Sequence, residues 1–268
     1  MTVLKDKVAI ITGGNGVLGG AIAMGLAAQG VKVGVLGRTE KTVSAAVDKI
    51  KQSGGQAIGL IADVLQQDSL EKANTFILEK WGKIDILVNG AGGNLKGATI
   101  SPEDNFFDLS LDDFDKVTQL NLKGTLLPTF VFGKSMAKQG KGSVLNISSM
   151  SAQQAITRIV GYSASKAGVD NFTKWLAVEM ALKYGEGIRV NAIAPGFFIG
   201  EQNRALLLNP DGSLTQRAET IVEQTPMRRF GKPEELQGVV NWLVSDQASF
   251  VTGVIIPIDG GFSAFSGV

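Results

Sequence analysis

Val8-Ala-Ile-Ile-Thr12 is followed without a break by Gly13-Gly-Asn-Gly-Val-Leu-Gly-Gly20 and then by Ala21-Ile-Ala-Met-Gly-Leu-Ala-Ala28. The first segment is short and uniformly apolar, the pattern of a strand covered on both faces in a parallel sheet. The third is rich in Ala, Leu and Ile and predicts a helix. Between them Gly14, Gly16 and Gly19 form a G-x-G-x-x-G at a strand-to-helix turn. Glycine permits the tight turn and a close approach to the backbone. The first turn of the helix presents unpaired N–H groups to an anion such as a pyrophosphate. The competing reading of the same stretch is a glycine-rich connector without a ligand.

The alternation continues outward from this stretch. Strands are predicted at 31–36, 57–61, 85–88, 143–147, 188–193 and 254–258. Helices are predicted at 40–53, 68–81, 112–139, from the region of Tyr162 to Tyr184, and at 233–245. Gly124 and Pro128 inside 112–139 predict a kink. Strand–helix alternation at this spacing predicts right-handed crossovers: an α/β fold, a doubly wound seven-stranded parallel sheet in a three-layer αβα sandwich, as one domain over 1–268. Residues 95–110 read as a loop. Residues 197–231 break the alternation and read as a polar lid over a substrate.

Composition narrows the chemistry. The 268 residues include no Cys and no His. Disulfides, thiol nucleophiles, Cys or His metal sites and a histidine base are thereby excluded. Acid–base work falls to Tyr, Lys, Asp or Glu. The net charge of +1, with no basic cluster, argues against nucleic acid or a polybasic membrane contact. No basic-then-apolar leader and no apolar stretch of about 20 residues stands in the sequence, which predicts a cytoplasmic protein.

Tyr162-Ser-Ala-Ser-Lys166 supplies a candidate acid–base group. Tyr and Lys four apart lie on one helix face. A nearby ammonium favours a phenolate and is expected to lower a phenol that otherwise ionises near pH ~10. Ser149 follows the fifth strand at its carboxyl end, where ligands of open α/β sheets bind. Asn121 sits in the middle of its helix. At the end of the second strand, where an acid would take ribose hydroxyls, the chain has Arg38. A guanidinium suits a 2′-phosphate, so NADP(H) is favoured and NAD(H) stays possible.

Together, Thr12-Gly13…Gly19, Asp63, Asn89-Gly-Ala-Gly92, Asn121, Ser149, Tyr162-x-x-x-Lys166, Pro195-Gly196 and Ile258-Asp-Gly-Gly261 resemble the short-chain dehydrogenase/reductase family over nearly the whole chain. The resemblance implies a Rossmann-type fold and a nicotinamide cofactor. It implies that Ser149 holds the substrate oxygen and that Tyr162 exchanges a proton with it. Lys166 would assist Tyr162 and hold the ribose, and Asn121 would anchor a relay water. The implied cofactor contacts are Gly13, Asn15, Gly16, Val17, Leu18, Gly19, Arg38, Asp63, Val64, Asn89, Gly90, Ala91, Gly92, Tyr162, Lys166, Pro195, Gly196, Phe198 and Ile199. Two positions depart from the family pattern: Val17 replaces a usual Gly, and Gly200 stands where a Thr often meets the nicotinamide.

Within the family, Gly13-Gly-Asn-Gly-Val-Leu-Gly19, Asn89-Gly-Ala-Gly-Gly-Asn94, Gly124-Thr-Leu-Leu-Pro128, Pro195-Gly-Phe-Phe198, Glu201-Gln-Asn-Arg204 and Gly260-Gly-Phe-Ser263 are similar to the D-mannonate oxidoreductase (fructuronate reductase) group. That resemblance implies a small sugar-acid substrate. A carboxylate calls for a cation, with Arg158 and Arg204 as candidates; Asn94 and Gln202 are candidates for hydroxyls. Another keto-sugar acid such as 5-ketogluconate, a ketoacyl thioester, or a cofactor-binding sensor without turnover are the competing readings. The family's usual homotetramer would pair helices 112–139 and 162–184.

Overall fold

The structure, a computed structural model, describes residues 4–200 and 203–267. Seven strands form one parallel sheet: β1 Val8–Thr12, β2 Lys32–Gly37, β3 Gln56–Ile61, β4 Ile86–Asn89, β5 Gly142–Ile147, β6 Ile188–Pro195 and β7 Ile255–Ile258. Their order is β3-β2-β1-β4-β5-β6-β7, every neighbouring pair parallel. The chain winds outward from β1 in one direction and then restarts at β4. The switch point therefore falls between β1 and β4, where the carboxyl ends diverge and leave a crevice.

Alternate residues of each strand feed two separate cores. Ala9 and Ile11 of β1 face one side; Val8 and Ile10 face the other. On the first side Ile22 and Leu26 of α1 (Val17–Ala28), Val43, Val47 and Ile50 of α2 (Glu40–Gln52), and Val240 and Leu243 of α9 (Gln237–Leu243) close the layer. On the second side lie Leu70 and Ile77 of α3 (Gln67–Trp81), Phe132 and Met136 of α5 (Gly124–Gln139), and Leu176 of α6 (Val160–Tyr184). The period-2 alternation of buried strands against amphipathic helices thus produces the three layers.

The long helix expected over 112–139 is interrupted. It consists of α4 (Leu111–Thr118), a π-helical turn Gln119–Lys123, and α5. The break lies at Asn121, not at Pro128, which sits inside α5. The buried Asn121 amide donates to the carbonyls of Val117 (2.8 Å) and Gly93 (2.7 Å), so its side chain widens the turn. The predicted last helix is likewise divided, into a 3₁₀ turn Pro233–Leu236 and α9.

The segment 197–231 carries two short helices, α7 (Arg204–Leu207) and α8 (Gln216–Gln224). Leu207, Ala218 and Ile221 form a small core of their own, with Phe197, Ile199, Leu214 and Phe230 against it. Among the described residues no helix is long and apolar enough to cross a membrane.

Candidate active site

The crevice at the switch point is lined by main chain. The buried Thr12 hydroxyl accepts from the Gly90 and Ala91 amides, both at 3.1 Å, and so ties the ends of β1 and β4 together. Gly13 has φ +65°, and a Cβ there would meet the Gly90 carbonyl at 2.9 Å. A Cβ at Gly19 would collide with the Gly13 carbonyl. Side chains are excluded from this turn by backbone. α1 opens at Gly16 with no side-chain cap and no acid in its first turn. Its leading amides are left for an anion, and the bare strand ends admit a flat ring. This cradle fits a nicotinamide dinucleotide.

The expected cofactor contacts divide once the side chains are placed. Gly13, Gly16, Val17, Leu18 and Gly19 form the turn and the helix start. Asn15 donates to the Thr42 hydroxyl (2.8 Å), and exposed Arg38 lies at the end of β2. The Asp63 carboxylate accepts from the Leu65 amide (2.9 Å) with its other oxygen uncommitted; Val64 is buried in the second core. Gly90, Ala91 and Gly92 border the crevice, and Gly92 is so close to Asn121 that a Cβ would meet its side-chain oxygen at 2.6 Å. Pro195 and Gly196 end β6 against β7, with the Gly196 amide on the Ile258 carbonyl (2.9 Å).

Two side chains point elsewhere than a cofactor contact requires. Asn89 donates to Thr129 (2.8 Å) and Asn146 (2.9 Å) beneath the sheet, and Asn146 donates to Thr173 (2.9 Å). Strand alternation turns Asn89 away from the crevice, so only its backbone borders it. Phe198 is buried, with its ring against Gly231 and its carbonyl accepting from Asn203 (2.8 Å).

The second strand end to matter is that of β5. Ser149 caps the turn Met150–Ala152, and its hydroxyl oxygen accepts from the Ser151 amide (3.2 Å) and hydroxyl (3.0 Å). Tyr162, in the first turn of α6, has the Ser149 side chain as the polar neighbour that favours its phenolate. One turn on, Lys166 is buried and donates to the Ile147 carbonyl (2.6 Å), with Nζ 5.6 Å from the Tyr162 ring centre. Ser149, Tyr162 and Lys166 are thus one cluster beside the crevice.

Its electrostatics differ from the reading of the bare spacing. Burial pushes the Tyr162 phenol above its usual 10.0, and the neighbouring Ser149 hydroxyl only partly opposes this. Proximity of Lys166 does not depress the phenol here, because the ammonium is spent on a carbonyl and desolvation dominates. Lys166 itself is pushed down from 10.5 to about 8, first by burial, against the opposing pull of Asp170. Asp170, one further turn along α6, is buried. It accepts from the Ser148 hydroxyl and from Gln153 (3.5 Å). The sequence reading missed Asp170, although its place four residues after Lys166 was visible. Asn121 pins the β4 loop through Gly93, whose amide it also accepts at 3.1 Å.

Of the expected substrate groups, Asn94 donates to Thr99 (2.8 Å), leaving its buried side-chain oxygen unpartnered. Arg158 is half-buried four residues before Tyr162, whereas Arg204 is exposed on α7. Gln202 lies outside the described residues. A cavity of about 500 Å³ opens between the 155–158 segment, Phe197, Phe262 and α8. It brings Arg158 together with Arg217, a residue that no motif marked.

The family described as enoyl-(acyl carrier protein) reductase matches residues 15–263. The chain is 46% identical to the uncharacterised oxidoreductase UxuB of Bacillus subtilis, over 99% of this chain and 98% of that one. A Haemophilus influenzae structure with bound NAD, proposed to be a D-mannonate oxidoreductase, superposes with TM-score 0.92 at 42% identity, covering 99% and 98% of the two chains. A Beutenbergia cavernae structure with low-occupancy NADP, proposed to be an NAD(P)-dependent gluconate 5-dehydrogenase, gives 0.85 at 31%, covering 99% and 100%. A Cβ is excluded by backbone at Gly13 and Gly19 of the turn, and Tyr162 and Lys166 lie together on α6 with Ser149 at the end of β5. The chain belongs to the short-chain dehydrogenase/reductase family and is an NAD(P)-dependent oxidoreductase.

Proposed function

We propose that the protein interconverts D-fructuronate and D-mannonate, with Ser149, Tyr162 and Lys166 as the catalytic group. The observation that carries this reading is the grouping of Tyr162, with Lys166 Nζ 5.6 Å from its ring, and Ser149 beside a dinucleotide cradle, joined to the 42% identity with the NAD-bound Haemophilus influenzae structure. Ser149 holds the substrate oxygen. Tyr162 gives it a proton in reduction and takes the proton back in oxidation. The nicotinamide, when bound, supplies or accepts the hydride. Lys166 keeps the proton path charged and holds the ribose, and Asn121 anchors the water that connects Lys166 to solvent.

Gly13, Asn15, Gly16, Val17, Leu18 and Gly19 hold the pyrophosphate. Asp63 and Val64 hold the adenine side, and Gly90 to Gly92, Pro195, Gly196 and the backbone of Ile199 border the nicotinamide. Arg38 favours NADPH over NADH through its guanidinium. Segment 197–231 acts as the lid. Leu126 and Phe130 on α5, and Trp175, Val178 and Leu182 on α6, are large apolar side chains left exposed. They support a cytoplasmic homotetramer paired through these helices. The 31% identity with the proposed gluconate 5-dehydrogenase supports 5-ketogluconate as the second substrate reading.

The test follows the near-UV absorbance of NADH and of NADPH with D-fructuronate, 5-ketogluconate and a ketoacyl thioester. Tyr162→Phe is expected to lower turnover by ~10²–10⁴-fold with cofactor affinity retained. Wild-type protein that binds NADH tightly and reduces none of these carbonyls would show a sensor instead. A Tyr162→Phe variant with undiminished turnover would remove the mechanism.

A further inference from the structure

The cavity between the 155–158 segment and α8 has an unusual charge pattern. Arg158 and Arg217 both line it, together with Thr157, Gln216, Thr220 and Gln224, and among the described residues no acid does. Both arginines are half-buried. Among the described residues, neither forms an ion pair. Arg217 is tied back by its Nη1, which donates to the Thr157 hydroxyl at 3.3 Å. Burial and then the charge of Arg158 make its protonated form less favourable than usual. Arg158 is held at φ +82°, a left-handed conformation that side chains rarely adopt, while its carbonyl accepts from the Ile100 amide at 2.9 Å.

Two like charges in a half-buried cavity repel, and each loses hydration there. Without a counter-ion the arrangement is unfavourable; with one anion between them it becomes favourable. Guanidinium groups offer forked donors that match the two oxygens of a carboxylate. Arg158 stands four residues before Tyr162, so the loop that carries it leads directly into α6. Phe197, Ile221 and Phe262 form an apolar wall, and among the described lining residues the arginines are the charged ones.

We propose that Arg158 and Arg217 together grip the carboxylate of a sugar acid whose carbonyl lies at Ser149 and Tyr162. This rests on the sugar-acid reading above and names the residues that select for it. One arginine comes from the loop before α6 and the other from the lid. The site is therefore complete only when α8 packs against the 155–158 segment, and substrate charge helps to hold the lid down. Arg204, on the exposed face of α7, is not part of the grip.

The experiment compares kcat/KM for D-fructuronate, 5-ketogluconate and uncharged D-fructose in wild type, Arg158→Gln, Arg217→Gln and Arg217→Lys. Each Gln variant is expected to lose roughly 10- to 100-fold on the acid, mainly through KM. D-fructose should change by less than about twofold, and Arg217→Lys should recover part of the loss. Equal losses on acid and neutral substrates would mark a structural role and overturn the proposal. So would an unchanged preference for the acid. Activity on 5-ketogluconate alone, lost in Arg217→Gln, would keep the grip and dismiss fructuronate. Activity on D-fructose alone would dismiss both. If no substrate turns over, calorimetry of D-mannonate with the NAD-bound enzyme decides: binding lost in Arg217→Gln supports the grip, and binding absent in wild type or retained in the variant ends it.

Discussion

Replacing Lys166 by Met should remove activity and reshape how stability depends on pH. Lys166 is buried at 4% exposure, and burial brings its pKa from 10.5 to about 8. Below pH 8 both folded and unfolded chains carry the proton, so the folded state bears the full cost of a buried ammonium. Between pH 8 and 10.5 the unfolded chain keeps a proton that the folded chain has released. More protons bound in the unfolded state means that stability rises with pH in this window. The gap from 10.5 to about 8, at ~1.4 kcal/mol per pH unit, is worth on the order of 3 kcal/mol. Met fills similar volume without the charge, but it leaves the Ile147 carbonyl without its 2.6 Å donor, a loss of ~1–3 kcal/mol. Those two effects nearly cancel at pH 7, so absolute stability there is a poor test. The pH dependence is a clean one. Urea unfolding of the cofactor-free proteins, followed by the fluorescence of the three tryptophans, is measured at intervals from pH 7 to 10.5. The stability of wild type relative to Lys166→Met should rise by about 3 kcal/mol across that range. A flat difference, or one that falls with pH, would refute the assignment of Lys166 as a desolvated cation.

Asp170→Ala should lower kcat about tenfold without changing cofactor affinity, because Ser148 and Gln153 lose their shared acceptor and the Ser149 turn loosens. Asp170→Asn should restore most of the rate, and two fully active variants would show that the contact does nothing. Gly200 and Val17 are neighbours, since a Cβ on Gly200 would sit 3.7 Å from Val17 Cγ2. That is ordinary contact distance, so Gly200→Thr should tighten NAD(H) binding by supplying the missing hydroxyl, and unchanged or weaker affinity on titration would show that the backbone already serves there. The raised phenol of Tyr162 predicts that the absorbance difference between wild type and Tyr162→Phe shows no phenolate until above pH 10 in the cofactor-free enzyme. Phenolate at neutral pH in that state would contradict the dominance of burial.

How much could be read from the chain depends on the distance over which each feature is encoded. The strand–glycine–helix unit at 8–28 and the Tyr162–Lys166 pair lie within a few turns of chain, so spacing alone specified them. Seven strands in alternation with helices also led directly to the observed seven-stranded parallel sheet. The direction of the Asn89 side chain, the π turn at Asn121 and the split of the last helix were not legible. The first two depend on partners outside their own segments: Thr129 and Asn146 for Asn89, Gly93 for Asn121.

The sequence by itself determined the doubly wound sheet, the glycine turn and the one-turn spacing of Tyr162 and Lys166, because local periodicity and excluded Cβ atoms act over short spans. The tertiary structure alone decided the electrostatics. Desolvation is a property of the packed interior, and it turned an expected fall in the Tyr162 pKa into a rise. Packing also set Arg217 beside Thr157, 60 positions earlier, and so placed a second guanidinium next to Arg158 in a cavity that no linear motif describes.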